Sequence, residues 1–230
     1  MSVLKEPLLD IKTTSDNKLG NGRWLSLHEV QFSDPSGTVH GWEVCRRVKP
    51  ASTLPDADPD APSVDAVDII PIIKNNSGAA THVVLVVQFR PALGAYAIEF
   101  PSGLIDADEQ PIQAALRELE EETGFGQESG HSIKVVKISE ATAYEPGLTG
   151  SCSRVVVVEI GMQESDPCGP GFSLPRSKLQ EDEWSLQVVA LPLAGLLTSL
   201  QDVQESNGGP QKLVLDSRLY AWAIGRELGY

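Results

Sequence analysis

The residues best suited to chemistry sit together in GLIDADEQPIQAALRELEEETGF, residues 103–125, where Glu118, Glu120, Glu121 and Glu122 crowd behind Arg117. At about 100° per residue, a helix here brings Glu118, Glu121 and Glu122 within roughly 100° of one another and sends Glu120 elsewhere. Like charges at i, i+3 and i, i+4 repel, and the C-terminal end of a helix carries partial negative charge of its own. Such a cluster calls for a cation. Arg117 neutralises part of it, and hard divalent ions such as Mg²⁺ or Mn²⁺, which prefer carboxylate oxygens, suit the rest. A solvated acidic face has the same local pattern, so charge alone leaves both readings open.

The helix that must carry these groups is predicted over 111–123. Pro111 suits a first-turn position, Gly124 suits a left-handed cap, and Ile112, Ala115, Leu116 and Leu119 follow the spacing of a helix packed on a core. Short β-branched runs flank it: AVDIIPII, THVVLVVQFR and AYAIEF before, and IKVVKI, SRVVVVEI and WSLQVVALP after. These read as strands. Residues 23–48 read as a hairpin turning at Asp34-Pro35-Ser36-Gly37. TAYEPGLTG, 142–150, reads as a loop. Residues 51–68 and 162–182, rich in Pro and acidic residues, read as solvated loops. Two helices are expected near 194–204 and 216–227, the latter burying Leu215, Leu219, Trp222, Ala223 and Leu228. The fold class is α+β, a mixed sheet with few helices around it.

Composition narrows the partners. With 18 Lys and Arg against 32 Asp and Glu, the formal net charge is -14. A chain this acidic repels polyanions, so a general nucleic-acid binder is excluded. A small phosphorylated substrate held through a metal ion and a few arginines is not. Neither a leader segment nor a membrane span is expected. Cys45, Cys152 and Cys168, odd in number and widely spaced, read as free thiols of a reducing compartment, the cytoplasm or also the nucleus. The scattered His28, His40, His82 and His131 do not suggest a histidine metal centre.

Gly103, Glu109, Arg117-Glu118-Leu119, Glu121-Glu122 and Gly124-Phe125 stand at every fixed position of the box that defines Nudix hydrolases. On these residues the chain resembles that family. The resemblance implies a loop-helix-loop on an α/β/α sandwich, with hydrolysis of a nucleoside diphosphate linked to another moiety. It implies that Glu118, Glu121 and Glu122 are metal ligands for Mg²⁺, with Mn²⁺ as a substitute. Arg117 would orient those carboxylates, and Gly103 would let the backbone approach the ion.

The segments GRW, WEVCRR, VQFRPALGAYAIEFPSGLID, EPGLT and DSRLYAWAI are similar to eukaryotic ADP-sugar pyrophosphatases of that family. That similarity implies that Trp24 and Trp42 stack on adenine, Glu43 bonds its edge, Arg47 and Arg90 hold the diphosphate, and Glu145 lies near the terminal ribose. It adds Glu99 and the carbonyl of Ser102 near the metal. It also places a catalytic base just before a late strand, best matched by Glu183, with Glu181 and Asp182 beside it. Residues 1–62 would form an N-terminal β-hairpin region and 63–230 the hydrolase domain, in a domain-swapped homodimer. The implied activity is cleavage of ADP-ribose to AMP and ribose 5-phosphate. Another nucleoside diphosphate derivative, such as ADP-glucose, NADH or an oxidised nucleotide, is the competing substrate class, and a non-catalytic nucleotide-binding module is the competing type of function. Either tryptophan has a core or interface role as its alternative, and Arg47 a surface ion pair.

Overall fold

Uninterrupted β-branched runs suit strands that are covered on both faces. The computed structural model describes residues 8–48, 64–162, 174–206 and 211–229. The acidic loop at 51–62, Cys168 and most of the 162–182 loop lie outside them. The chain divides into two compact units, Met1–Val64 with Ala143–Cys152, and Asp65–Thr142 with Ser153–Tyr230.

In the first unit, β1 (Thr13–Asn21), β2 (Leu25–Ser33) and β3 (Val39–Arg47) form an antiparallel sheet in that order. β2 and β3 are the expected hairpin. β1 was not expected, because TTSDNKLGN has no apolar alternation to betray a strand. Its exposed side chains pack on little, and polar links hold it instead: Asp16 accepts from His28 Nδ1 at 2.6 Å and from Arg46 at 2.7 Å. The segment after Ala143 joins this unit. The Cys45 N–H donates to the Leu148 carbonyl at 2.9 Å, and Trp42 Nε1 donates to the Gly147 carbonyl at 2.9 Å.

The second unit is built on β4 (Val64–Lys74), β5 (Ala80–Arg90), β6 (Ala95–Glu99), β7 (Ser102–Leu104), β8 (Ser132–Ile138), β9 (Thr142–Ala143), β10 (Cys152–Gly161), β11 (Gln187–Pro192) and β12 (Leu213–Leu215). The order is β12-β6-β5-β4-β10-β8, with β11 on β5 and β7 on β4. β12 runs parallel to β6 while β4, β6 and β11 are antiparallel to β5, so the sheet is mixed. Strands as short as β7 and β12 leave no periodic signal. Around the sheet lie α1 (Pro111–Thr123), α2 (Leu196–Ser206) and α3 (Ser217–Glu227).

Successive strand residues face opposite sides. Ile70 and Ile72 of β4, with Val83 and Leu85 of β5, meet Leu196, Leu200, Leu219 and Ala223 of α2 and α3. Val67, Ile69 and Ile73, with Val84, meet Ala114, Ala115 and Leu119 of α1. The result is the expected α/β/α sandwich. Trp222 is half-buried and packs edge-on against Phe100, whereas Leu228, expected in the buried stripe, is exposed beyond the end of α3.

Helix α1 has the predicted limits but not the predicted roll. Ile112 and Leu116, expected in the core, are 40% and 36% exposed. The buried face is instead Ala114, Ala115, Glu118, Leu119 and Glu122. Apolar spacing fits both stripes, since they share Ala115 and Leu119. The roll that turns two carboxylates inward is permitted because they find donors there, without which their burial would be prohibitive.

Candidate active site

Three elements converge on one group of carboxylates. Glu118 and Glu122, one helical turn apart on α1, are 6% and 2% exposed. Glu183 arrives from the segment before β11, on a short 3-10 turn, Glu181–Glu183. One oxygen from each of these three residues lies within 4.8 Å of the others. β7 supplies the third wall: the Ser102 N–H donates to Glu122 at 3.0 Å, and the space that a side chain on Gly103 would need is filled by the Glu118 carboxylate. A side chain on Gly103 would therefore displace the Glu118 carboxylate, which Arg117 holds at 2.7 Å.

Arg117 organises the cluster from its edge. Its guanidinium donates to Glu109 at 2.9 and 2.8 Å, to Glu118 at 2.7 Å, to Glu121 at 3.2 Å and to the Leu104 carbonyl at 3.0 Å. The hydrogen bonds from Arg117 hold the Glu109 carboxyl below its usual range. Burial does the opposite to Glu118, pushing it up to about 7 despite Arg117, and the neighbouring Glu121 and Glu183 add to the rise. Glu122 is raised well above its usual value, first by burial and then by Glu118 and Glu183, against the Ser102 N–H. Converging hard oxygen donors of like charge, two of them buried, form the donor set that a divalent cation fits.

The other expected site residues make contacts of their own. Glu121 shares one Arg117 nitrogen with Glu118, its Oε2 accepting from Arg117 and from Gln180 Nε2, each at 3.2 Å. Arg90 and Glu99, expected on diphosphate and metal respectively, hold each other, with Arg90 donating to the two Glu99 oxygens at 2.7 and 2.9 Å. Burial would lower the Arg90 pKa, but its pairing with Glu99 outweighs this and holds it above its usual value. Glu181 is exposed at the start of the 3-10 turn, with Asp182 between it and Glu183. Trp24, Trp42, Glu43, Arg47 and Glu145 belong to the first unit. Trp24 and Trp42 are 67% and 54% exposed, too open for core residues of that unit, and the Arg23 guanidinium lies over the Trp24 ring at 4.6 Å. Glu43, Arg47 and Glu145 are exposed.

A family model described as NUDIX domain matches residues 62–167. The chain is 34% identical over 211 residues to mouse "ADP-sugar pyrophosphatase", covering 92% of this chain and 85% of the mouse protein. This chain belongs to the Nudix family. Among further Nudix relatives, yeast "ADP-ribose pyrophosphatase" is 33% identical over 174 residues, 76% of this chain and 64% of that protein. A solved structure described as an ADP compounds hydrolase superposes with a TM-score of 0.57 over 97% of this chain and 96% of that one, at 20% identity, which shows the shared fold. The Nudix box is thus the loop-helix-loop that spans β7, α1 and Gly124.

Within it, the ion pair with Arg117 at 2.8 Å gives Glu109, a fixed position of the box, its task. Two further features had no signal in the sequence. Buried Asp68 accepts from Ser153 Oγ and from Arg218, each at 2.6 Å, fixing β4 where Asp68 lies opposite Ser102 of β7. The segment from Pro175 to Gln180 lies against the end of α1. Nothing in its composition marks it, since its partners are 50 or more residues away in sequence.

Proposed function

We propose that this Nudix chain hydrolyses the diphosphate of ADP-ribose to AMP and ribose 5-phosphate, with Mg²⁺ as its metal and Mn²⁺ as a substitute. The observation that carries this reading is the convergence of the Glu118, Glu122 and Glu183 carboxylates from α1 and the segment before β11. The names of the mouse and yeast relatives support the substrate class. Glu118 and Glu122 would hold the metal, together with Glu121, Glu99 and the Ser102 carbonyl. A divalent ion held there would supply polarisation of a phosphoryl oxygen and neutralisation of developing charge. Glu183 takes the proton of the attacking water. The new P–O bond forms as the bridging P–O bond breaks, and the leaving phosphate departs as an anion. Arg117 holds the carboxylates in register, while Arg47 and Arg90 bind diphosphate oxygens through their planar forks.

Adenine is read by Trp24 and Trp42, whose open faces suit a flat base, with Glu43 on its edge. Glu145 contacts the terminal ribose. Residues 1–62 carry this recognition in a domain-swapped homodimer and 63–230 carry the chemistry. The compartment is reducing, cytoplasmic or nuclear, in keeping with the free thiols Cys45 and Cys152. Among the described residues no helix is long and apolar enough to cross a membrane.

The deciding experiment incubates the protein with ADP-ribose, ADP-glucose, NADH and an oxidised guanine nucleotide, each with Mg²⁺ or EDTA, and identifies products by chromatography. AMP and ribose 5-phosphate from ADP-ribose with Mg²⁺ alone are expected. Preference for another compound would reassign the substrate, and binding without turnover of any would make the chain a nucleotide-binding module.

A further inference from the structure

Arg117 is the cation that α1 itself offers Glu118 and Glu121, and the last turn of the helix contains no basic residue. For Glu120 and the helix end the compensation comes from a lysine 58 residues away. Lys178 Nζ donates to Glu120 at 2.7 Å and to Glu128 at 2.7 Å, and the Lys178 N–H donates to the Glu121 carbonyl at 2.7 Å. One residue thus meets both the side chains and the negative pole of the helix end. On either side, Arg176 and Gln180 complete the seat. The Arg176 carbonyl packs so closely on left-handed Gly124 that a side chain there would collide with it, and Gln180 Nε2 reaches Glu121.

The seat leads directly to the candidate site. Beyond Lys178 the Gln180 N–H donates to a Glu183 carboxylate oxygen at 2.8 Å, orienting the group that converges with Glu118 and Glu122. On the far side Ser185 Oγ accepts from the Phe89 N–H at 3.1 Å, tying the segment to β5. Glu183 is therefore held between two anchors, one on β5 and one on α1. We propose that Lys178 is a positioning residue for the reaction: by clamping Glu120 and Glu128 it seats residues 175–180 on α1 and so fixes Glu183 beside the metal-binding carboxylates. This rests on the hydrolase reading above. It also gives Glu120, the one glutamate of the cluster that faces away, a reason to be acidic.

Lys178→Met keeps the stem and removes the charge, whereas Lys178→Arg keeps both. With ADP-ribose and Mg²⁺, Lys178→Met is expected to lower kcat about five-fold with KM within about two-fold, Lys178→Arg to restore most of it, and Glu120→Gln to reproduce the loss without adding to it in the double variant. Trypsin cleavage after Arg176 in metal-free protein, followed by mass spectrometry, should be about five-fold faster in Lys178→Met at an unchanged melting temperature. Wild-type kcat together with wild-type cleavage in Lys178→Met would overturn the proposal, as would a loss matched by global destabilisation and not restored by arginine. Should the wild-type protein turn over no substrate, the hydrolase reading fails, and the cleavage rates alone decide whether Lys178 seats the segment.

Discussion

The Glu118 carboxylate occupies the space that a Cβ on Gly103 would fill. The two residues come from α1 and β7, so the glycine of β7 and the roll of α1 are one constraint. Gly103→Ala must displace either the carboxylate or the strand, and Glu118 cannot swing freely because Arg117 holds it at 2.7 Å. We expect this variant to lose about 1–3 kcal/mol of stability, as overpacked sites do, and to lose activity about ten-fold or more. Urea melts and steady-state kinetics check the two parts.

Much of this site could be read from residue spacing, and the limits of that reading are physical. The box fixes Glu118, Glu122 and Arg117 on one helix because three or four residues separate neighbours on a helical face. Strands β4 and β5 announce themselves because burial on both faces demands unbroken apolar runs. The roll of α1 was not legible, since two stripes sharing Ala115 and Leu119 fit the same spacing and polar contacts from β7 choose between them. β1 was not legible either, because Asp16 bonds to His28 and Arg46 do for it what apolar side chains do for other strands. The clamp at Lys178 depends on a partner 58 residues distant, which no local pattern encodes.

Arg117 serves Glu109, Glu118, Glu121 and the Leu104 carbonyl with one planar fork. Lysine offers a point charge that cannot reach all four. Arg117→Lys is expected to weaken metal affinity by about 10–100-fold, the range for groups that orient metal ligands. The dependence of rate on Mg²⁺ concentration measures this, and calorimetric titration of the metal into substrate-free protein gives an independent value.

Glu122→Gln separates charge from shape. The amide oxygen still accepts the Ser102 N–H, so the fold is retained, and replacing a buried carboxylate with a neutral group relieves a desolvation cost. Turnover is expected to fall on the order of 100-fold, with a melting temperature equal to or above wild type. Normal Mg²⁺-dependent turnover would sink the assignment of Glu122 as a metal ligand.

Trp42 offers an open indole face while its Nε1 is tied to the Gly147 carbonyl at 2.9 Å. A ring held by its edge is preorganised for stacking. Since base–aromatic stacking contributes about 1–3 kcal/mol per base, Trp42→Ala should raise KM for ADP-ribose about ten-fold with a smaller change in kcat. An unchanged KM would return Trp42 to a structural role.

Asp216 caps α3 by accepting the N–H of Arg218 at 2.8 Å and of Leu219 at 3.2 Å, and it pairs with the Arg218 guanidinium at 2.8 Å. Burial works to raise its carboxyl, but the hydrogen bonds and charge of Arg218 outweigh burial and hold it below the usual carboxylate range. A group lowered in the folded state contributes stability that is fully present above its unfolded value of about 3.9 and is lost as pH falls through the folded value. Asp216→Asn keeps a cap acceptor and removes only the charge. We therefore expect it to be less stable than wild type by about 1–2 kcal/mol at pH 7, with the gap closing as the pH falls from the unfolded value of about 3.9 through the lowered folded value. Urea melts of both proteins across that range measure the gap. A difference that stays constant with pH would place the effect in the geometry of the cap and not in the charge of Asp216.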